Sequence, residues 1–309
     1  MRALIALGGN AMTAPDGSAR PEDQRAAITA AMEAVADVVA AGSQVVLTHG
    51  NGPQVGNLLV KNEIAASIVP PVPLDWCGAQ TQGTIAMLIL DALEPALARR
   101  GLAPRVAAVV SRTLVAADDP HFAEPSKPIG RYLPAAEAAV MIEHGQQWQD
   151  RGERGWRRVV ASPEPLESLD AGAASVLLDA GYVVTCSGGG GVPVVRDGDG
   201  TLRSVEAVID KDLTAAVLAR QLGADVMVIA TDVDAAVVGF STPQATPLGA
   251  ITVDKLRALA GEGHFAGGSM GPKVEAACRF AETGGRAVIT SLHRIGEALR
   301  GTAGTNVTS

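Results

Sequence analysis

The sequence contains few aromatic residues and few cysteines, and both shortages limit what the chain can be. Phe, Trp and Tyr together account for 3% of the 309 residues, so Ala, Val, Leu and Ile must build the core. Cys77, Cys186 and Cys278 are far apart and odd in number. They predict neither a disulfide framework nor a Cys-x-x-Cys metal site, which is typical of a protein in a reducing cytosol.

Excess positive charge and long apolar runs are also missing. The formal net charge is -8, which does not favour a nucleic-acid or anionic-membrane partner. No apolar run approaches the roughly 18 residues of a membrane span, and residues 2–7 are too short an apolar run for a signal peptide. We therefore expect a cytoplasmic protein without a nucleic-acid or membrane partner.

The apolar residues that are present alternate between two kinds of segment. At 309 residues, one large domain with an appendage and two smaller domains are both possible. Predicted strands cover residues 4–7, 44–47, 106–110, 182–185, 226–230 and 287–289, and a hairpin covers 192–196 and 202–205. Predicted helices cover residues 21–41, 78–99, 171–180 and 214–222. This alternation predicts an α/β fold whose mainly parallel sheet is covered by helices on both faces.

One region interrupts the alternation. Residues 118–165 are polar, contain Trp148 and Trp156, and carry the basic run Arg151–Arg158. We interpret this region as a small inserted subdomain that stands off the main sheet. Its composition, with few large apolar side chains, predicts that it moves as a lid.

Glycine-rich turns follow three of the predicted strands. They are Gly8-Gly9-Asn10, Gly50-Asn51-Gly52 and Gly188–Gly191. A glycine turn between a strand and a helix exposes N–H groups at the positive end of the helix dipole, which favours phosphate. One such turn alone could be an ordinary connection, but three indicate a phosphate site at the carboxyl ends of the strands.

Lysine is the scarcest of the common charged residues. Of 25 basic residues, five are lysine and twenty are arginine. Lys127, Lys211 and Lys273 lie in structured contexts beside proline or aspartate, where an ammonium can reach a phosphate as a point charge. The alternative is an ion pair of Lys211 with a neighbouring aspartate and a solvated Lys273. Lys61 and Lys255 are interpreted as surface residues.

Other chemistries have weaker patterns. Gly50, Gly52 and Gly56, with Asp75 further on, approach a dinucleotide-binding fingerprint. The prolines at 70, 71 and 73 stand where that motif requires a strand, and the Walker pattern is absent. The five histidines, His49 among them, show no metal-ligand spacing. Cys186 beside Ser187 could suggest a nucleophile, but its apolar context favours a buried, inert thiol.

Several motifs together resemble those of carbamate kinases, in order and nearly from end to end. They begin with Ala6-Leu-Gly-Gly-Asn-Ala11, Thr48-His-Gly-Asn-Gly-Pro-Gln-Val55, Pro73-Leu-Asp75, Cys77-Gly-Ala79 and Thr81-Gln-Gly83. They continue with Glu124-Pro-Ser-Lys-Pro-Ile-Gly130, Gly155-Trp-Arg-Arg-Val-Val160, Cys186-Ser-Gly-Gly-Gly-Gly-Val-Pro193, Val208-Ile-Asp-Lys-Asp212, Thr231-Asp-Val-Asp234 and Gly268-Ser-Met-Gly-Pro-Lys273. Ser111-Arg112 and Arg131-Tyr132 are less typical of the family.

The resemblance implies a fold, a reaction and an assembly. It implies one amino-acid kinase domain over residues 1–309, a three-layer αβα sandwich with the small inserted subdomain at 118–165. The half at about 1–180 would bind carbamate, and the half at about 181–309 would bind the nucleotide. The implied enzyme is a cytoplasmic homodimer that converts carbamate and ATP, with Mg²⁺, to carbamoyl phosphate and ADP. The reverse direction would form ATP in arginine or purine catabolism.

The resemblance also assigns residues, all of which are expectations here. The catalytic residues would be Lys127, Lys211, Lys273 and Asp212. Asp212 would hold Lys211 and Lys273 in place, and Lys127 would close over the substrate. The substrate-binding residues would be Gly8, Gly9, Asn10, Gly50, Asn51 and Gly52, and the first five would supply N–H groups to the substrate. The nucleotide would meet Lys211, Thr231, Asp232, Val233, Asp234, Met270, Gly271 and Lys273. No protein ligand for the metal is assigned.

Two alternatives remain open besides carbamate kinase. Another kinase of the same fold would use acetylglutamate or a nucleoside monophosphate, but such enzymes resemble one another in carrying Lys where this chain has Ala6. A nucleotide-binding sensor without catalysis is the second alternative, although all three lysines are present. The apolar helix predicted at 78–99 favours a dimer, because one sheet face would leave part of it for a partner to cover. The alternative is that the sheet buries this helix completely.

Overall fold

The computed structural model describes residues 1–13, 20–65, 68–143, 145–240, 242–265 and 270–309, with the side chains of Asn10 and Ala11 outside that description. The strands are β1 (Arg2–Leu7), β2 (Gln44–His49), β3 (Val106–Ala108), β4 (Arg112–Leu114), β5 (Lys127–Leu133), β6 (Gln147–Asp150), β7 (Trp156–Val160), β8 (Glu167–Ser168), β9 (Val183–Thr185), β10 (Val192–Arg196), β11 (Leu202–Ser204), β12 (Val226–Thr231), β13 (Val237–Val238), β14 (Thr246–Pro247), β15 (Ala250–Thr252), β16 (Arg286–Ser291) and β17 (Thr305–Thr308).

The helices connect these strands. They are α1 (Pro21–Ala40), α2 (Gly52–Ala65), α3 (Leu74–Arg99), α4 (Pro120–Ala123), α5 (Ala135–Glu143), α6 (Ala171–Asp179), α7 (Lys211–Gln221), α8 (Val253–Gly261), α9 (Met270–Ala281) and α10 (Ile295–Leu299). Short 3-10 turns cover Gly9–Met12, Gly152–Arg154, Gly188–Gly190 and Leu292–Arg294. None of the described helices is long and apolar enough to cross a membrane.

An eight-stranded sheet forms the centre of the molecule, in the order β15-β17-β16-β12-β1-β2-β9-β3. The strands from β16 to β3 pair in parallel, and β17 pairs antiparallel with β16. In a parallel run of strands, the carboxyl ends lie along one edge. The segments that follow β12, β1, β2 and β9 therefore meet at that edge.

Helices cover both faces of this sheet, and alternating side chains build two cores. On β1, Ala3, Ile5 and Leu7 pack against α1, α3 and α10. Leu4 and Ala6 point to the other face and pack against α6, α7, α8 and α9. The result confirms the mainly parallel sheet with helices on both faces that the alternation predicted, and the three-layer αβα sandwich that the resemblance implied.

Most predicted elements are confirmed, with shifts of a few residues at their ends. Pro21 occupies the first position of α1, and Gly42 adopts a positive φ of 89° just after that helix. The predicted hairpin forms from β10 and β11. The sequence analysis did not predict α2, which begins Gly-Pro, and it did not predict α8, α9 or β17.

The inserted region forms a small antiparallel sheet of its own, in the order β5-β7-β6. Leu133, Ala138 and Trp148 build its own core, so it has more apolar packing than its composition suggested. Ile129 also joins a cluster with Val55 and Leu59 of α2. An ion pair from Arg131 to Glu63 of α2, 2.9 Å long, links the same two elements at the surface.

The glycine tract after β9 is held in a strained turn. Ser187, with φ +55°, is the one non-glycine residue at positive φ in the described chain. Hydroxyl groups fix it from several sides: Thr48 Oγ1 donates to its carbonyl at 2.9 Å, and its N–H donates to Ser111 Oγ at 2.7 Å. Ser168 Oγ lies 2.9 Å from its own Oγ. The tract therefore leaves the sheet at a fixed angle.

Replacing Gly190 with alanine should destabilise the protein. Gly190 has φ +91°, and a Cβ there would lie 2.7 Å from the carbonyl oxygen of Ile209. Because both the backbone conformation and the space forbid a side chain, we expect Gly190→Ala to lower the free energy of unfolding by at least about 2 kcal/mol. Denaturant unfolding measures the change.

Gly198→Ala is the matched control for this prediction. Gly198 lies in the exposed turn between β10 and β11 and would have nothing within 4 Å of a Cβ. It should unfold at nearly the wild-type denaturant concentration. Equal stability of the two variants would show that the tract yields easily and that its geometry is not fixed as described.

Candidate active site

A cleft of about 440 Å³ lies at the carboxyl edge of the central sheet. It collects side chains and glycine turns from distant parts of the sequence. Its walls are Gly8, Gly9, Thr13, Gly50, Asn51, Gly52, Pro53, Lys127, Gly189, Val208, Ile209, Asp210, Lys211, Asp212, Thr231, Asp232 and Lys273. Three of the five lysines thus meet in one cavity, together with segments from all three predicted glycine turns.

Asp212 joins two of these lysines. The Lys211 Nζ donates to Asp212 Oδ1 at 2.5 Å, and the Lys273 Nζ donates to Asp212 Oδ2 at 3.2 Å. The side chains of Lys211 and Lys273 are 14% and 6% exposed. Of the alternatives weighed from the sequence, the ion pair of Lys211 forms with Asp212, but it is buried in the cleft and shared with Lys273.

Two ammonium groups share the carboxylate of Asp212. Burial by itself raises the pKa of the Asp212 carboxyl, but the two ammonium groups outweigh it and hold that pKa below its usual value. Asp210 and Asp232 also line the cleft. The lysines therefore favour a phosphate through the N–H donors and the local positive charge that they place beside it, and not through a net charge of the cleft.

Helix N-termini add to this positive potential. Lys211 is the first residue of α7, and Asp210 caps that helix by accepting from the Asp212 N–H at 2.9 Å. The other oxygen of Asp210 lies 3.5 Å from Lys127 Nζ, which brings the inserted subdomain to the cleft. The N-terminus of α2, at Gly52, lines the same cleft. Both helix dipoles therefore point their positive ends at one space.

Two of the glycine turns work differently from the prediction. The Gly8 N–H donates to Ala230 O at 2.9 Å, and the Gly50 N–H donates to Leu7 O at 3.0 Å. These two donors continue the hydrogen bonding of the sheet, so the expectation that their N–H groups reach the substrate is wrong, although both glycines line the cleft.

Gly8 and Gly50 provide space instead. A Cβ on Gly8 would lie 2.8 Å from Ala230 O, and a Cβ on Gly50 would lie 3.3 Å from Lys211 Cδ. Because Gly50 has no side chain, the side chain of Lys211 has room to pass over the turn. Gly9 and Gly52 have nothing within 4 Å of a Cβ, so these two positions open onto the cleft, while the Asn10 side chain lies outside the described residues.

The turn after β2 and the glycine tract support each other. The Asn51 side chain donates to Thr81 Oγ1 at 2.9 Å, and a Cβ on Gly189 would lie 2.1 Å from Asn51 Nδ2. His49 is buried below the tract, and burial lowers its pKa to about 4, with a further contribution from the Lys211 charge. It is therefore neutral near pH 7.

A second cavity of about 380 Å³ adjoins the cleft beneath the inserted subdomain. It shares Asn51, Gly52, Lys127 and Gly189 with the cleft. Its other walls include Asp75 and Gly78 of α3, Ile129 and Gly130 of β5, and Arg157 of β7. Lys127 thus stands between two connected spaces.

The predicted nucleotide residues divide into two groups. Thr231 and Asp232 line the cleft. Val233, Asp234, Met270 and Gly271 are not among its wall residues. Ser291 Oγ donates to the Asp234 carboxylate and Arg294 lies 3.6 Å from it, so this aspartate is engaged at the end of β16. Gly268 and Ser269 of the quoted motif lie outside the described residues.

The structure also decides the weaker patterns. The glycines at 50–56 do lead from β2 into α2, but the dinucleotide pattern is wrong at its acidic residue, because Asp75 lies in the first turn of α3 and does not follow a strand. Cys186 is buried, and burial raises the pKa of its thiol, as expected for an inert cysteine. Within the described ranges, no group of three His, Cys, Asp or Glu side chains could hold a metal ion.

Sequence reasoning missed some residues that the structure brings to the site. The sequence indicates Asp210 only as one of the two aspartates beside Lys211, whereas in the structure it faces Lys127. Arg157 and Asp75 line the adjoining cavity, although each was quoted within a motif. The signal for Asp210 was its position directly before a helix, where aspartate is a common cap.

Comparisons with known proteins agree with this geometry. The sequence matches the model of the Amino acid kinase family over residues 1–291. The carbamate kinase of Thermococcus kodakarensis is 45% identical over 99% of this chain and 98% of its own length. The carbamate kinase of Pyrococcus furiosus is 42% identical over 99% of this chain and 98% of its own length.

A solved structure extends the comparison to the fold. Carbamate kinase from Giardia lamblia bound to AMP-PNP superposes with a TM-score of 0.94, at 38% identity over 99% of this chain and 98% of that one. Similarity of this extent covers the central sheet, both helical layers and the inserted subdomain. The chain belongs to the amino acid kinase family and, within it, to the carbamate kinases.

Proposed function

We propose that this site transfers a phosphoryl group reversibly between ATP and carbamate, giving ADP and carbamoyl phosphate. The observation that carries the proposal is the meeting of Lys127, Lys211 and Lys273 in one cleft, with Asp212 between two of them. Phosphoryl transfer requires alignment of the reactants and positive charge around the phosphoryl oxygens. The cleft supplies both.

The acceptor is inferred from the first strand as well as from the relatives. Residue 6 is an alanine, fully buried within the core, so β1 provides no charge to the phosphoryl group. The side chain of Lys211, which passes over the neighbouring turn at Gly50, supplies a positive charge there instead. This arrangement supports carbamate over the substrates of fold relatives that carry a lysine at the first position.

Each charged residue then has a distinct part in the transfer. Lys211 and Lys273 bind phosphate oxygens of the nucleotide, with Thr231 and Asp232 beside them in the cleft. Asp212 orients both ammonium groups before the substrate arrives, so no reorganisation is needed in the transition state. The solved relative from Giardia lamblia was bound to AMP-PNP, which supports a nucleotide on this scaffold.

Carbamate binds near Lys127, against the open positions Gly9 and Gly52. Both glycines line the same cleft as the lysines, and Gly52 begins α2. Carbamate is already an anion, so its oxygen attacks the γ-phosphorus without a general base while the bond to the β-phosphate oxygen breaks. The neutral, buried His49 is accordingly not required for proton transfer.

Magnesium fits this site as a companion of the nucleotide. Mg²⁺ is commonly coordinated by substrate phosphates and by one or two carboxylates. Asp210 and Asp232 are carboxylates that line the cleft beside the lysines. These two residues would hold the ion, which would add positive charge at the phosphates. We further propose that the protein is cytoplasmic and forms ATP from carbamoyl phosphate in arginine or purine catabolism.

The direct test measures ATP formed from ADP and carbamoyl phosphate with Mg²⁺, using luciferase as the readout. Parallel assays supply ATP with acetylglutamate or with UMP as acceptor. We expect turnover with carbamoyl phosphate alone. Turnover with another acceptor would assign the chain to a different kinase activity, and tight ATP binding without any turnover would indicate a sensor.

Lys127→Ala should reduce turnover strongly and leave ADP affinity nearly unchanged. Lys127 is 38% exposed and is supplied by the inserted subdomain, so we propose that it meets the phosphoryl group mainly when that subdomain closes as a lid. Losing one preorganised charge at a transferring group typically costs about 10²–10³ in rate. Steady-state kinetics and ADP titration measure the two effects separately.

Three variants sharpen this prediction. Lys127→Arg should not restore activity fully, because a planar fork replaces a compact ammonium. Lys211→Ala should weaken both ADP binding and turnover, since Lys211 touches phosphates present in the ground state. Lys61→Ala is the matched control, because Lys61 is an exposed lysine of α2. Near-normal turnover of Lys127→Ala would contradict the lid proposal and would show that Lys127 is a solvated lysine without a part in the transfer.

We propose that α3 forms part of a homodimer interface. Trp76 and Met87 of α3 are 62% and 48% exposed, so the sheet does not bury this helix completely. Their spacing of about three helical turns puts them on one face. Exposed apolar side chains clustered on one face are typical of contact surfaces.

The expected mass in solution is about twice 31.4 kDa, measured by light scattering during size exclusion. The double variant Trp76→Glu and Met87→Glu should elute with the mass of one chain, because it places two charges in the contact. Val176→Glu, at another exposed apolar position on α6, is the control and should stay dimeric. A wild-type monomer, or an unchanged double variant, would contradict the proposal.

A further inference from the structure

Asp75 is a buried carboxylate with no protein partner among the described residues. It lies in the first turn of α3 and is 7% exposed. It lines the cavity beneath the inserted subdomain. Within the described part of the chain, no N–H group, hydroxyl or cation forms a hydrogen bond or ion pair with its side chain.

Other buried carboxylates of this protein are provided with donors. Asp212 binds the two lysines. Asp119 accepts from the backbone N–H groups of His121 and Glu164, both at 2.9 Å. Buried charges are ordinarily paired, because leaving water without a new partner is costly. An unpaired carboxylate at a cavity wall therefore indicates a donor that arrives with a ligand.

The position of Asp75 relative to the lysines specifies that ligand further. Asp75 lines the cavity under the subdomain, whereas Lys211 and Lys273 line the phosphate cleft, and Lys127 lines both. Arg157 also lines the cavity under the subdomain, so the site offers cations along its length, whereas Asp75 is the one carboxylate among the described residues that line that cavity. A ligand that spans the site needs anionic oxygens for the lysines and an N–H donor for Asp75.

Carbamate and carbamoyl phosphate have this distribution. Their oxygens carry the negative charge, and the amino group is their hydrogen-bond donor. A carboxylate repels the oxygens and accepts from the N–H. We infer that Asp75 accepts a hydrogen bond from the amino group of the substrate and selects carbamoyl phosphate against acyl phosphates with a methyl group at that position. This inference rests on the proposed function.

A purely structural role would have different consequences. An acid in the first turn of a helix stabilises that helix through its dipole whatever the substrate is. Loss of that effect would lower thermal stability and would reduce the use of all phosphoryl donors in parallel. Recognition of the amino group changes the ratio between donors, which a helix effect does not move.

The experiment compares carbamoyl phosphate with acetyl phosphate as donors to ADP, for wild type, Asp75→Ala and Asp75→Asn. Acetyl phosphate differs in having a methyl group in place of the amino group. Where its turnover is slow, it is measured as a competitor of carbamoyl phosphate. Asp91→Ala, on the exposed side of the same helix, is the matched control, and thermal unfolding verifies that each variant is folded.

We expect Asp75→Ala to lower kcat/KM for carbamoyl phosphate about ten- to a hundredfold, the usual loss for a hydrogen bond to a charged group. Use or binding of acetyl phosphate should stay the same or improve. Asp75→Asn should give a smaller shift of the same ratio, because its amide oxygen still accepts, and it keeps the test valid if the alanine variant unfolds.

Two results would overturn the inference: a parallel loss with both donors, or no change with either. A wild-type protein that fails to use carbamoyl phosphate would instead overturn the proposed function itself, and the selectivity inference with it. A wild type that is active with an unchanged donor ratio in the variants refutes only the role of Asp75.

Discussion

The hydrogen bonds from Lys211 and Lys273 to the buried carboxylate of Asp212 determine how the rest of the site is arranged. They connect α7 to α9, which approach the sheet from separate parts of the sequence. Two ammonium groups buried side by side would repel each other without a shared anion. With Asp212 between them, both ammonium groups remain fixed in position at the wall of the cleft. The glycine at 50 follows from this arrangement, because the Lys211 chain needs the space above that turn.

The general architecture could be predicted from the sequence because strands that are buried on both faces consist of continuous apolar residues. Strands such as β12 are continuous apolar runs, and their alternation with helices admits few other folds. The convergence of three glycine turns at one edge also followed, since parallel strands end on the same side. The three lysines were recognisable because lysine is rare in this chain and each stands in a rigid context.

The remaining details depend on contacts between residues far apart in sequence. That the Gly8 and Gly50 N–H groups are used within the sheet follows from the register of neighbouring strands, which no local pattern states. The pairing of Lys127 with Asp210 depends on where the inserted subdomain packs. Helix α2 was missed because it begins Gly-Pro, which in isolation reads as a turn. The core of the insertion was missed because a few apolar residues on short strands suffice to build it.

The shortage of lysine has a chemical consequence for an enzyme of this kind. Acyl phosphates react with free amines, whereas guanidinium groups, protonated throughout the physiological range, are poor nucleophiles. Twenty of the 25 basic residues are arginine, so most positive charge on this protein is resistant to acylation by its own proposed substrate. Two of the cleft lysines are nearly enclosed and bound to Asp212. The more accessible Lys127 is therefore the cleft amine at which a reactive acyl donor would inactivate the enzyme first.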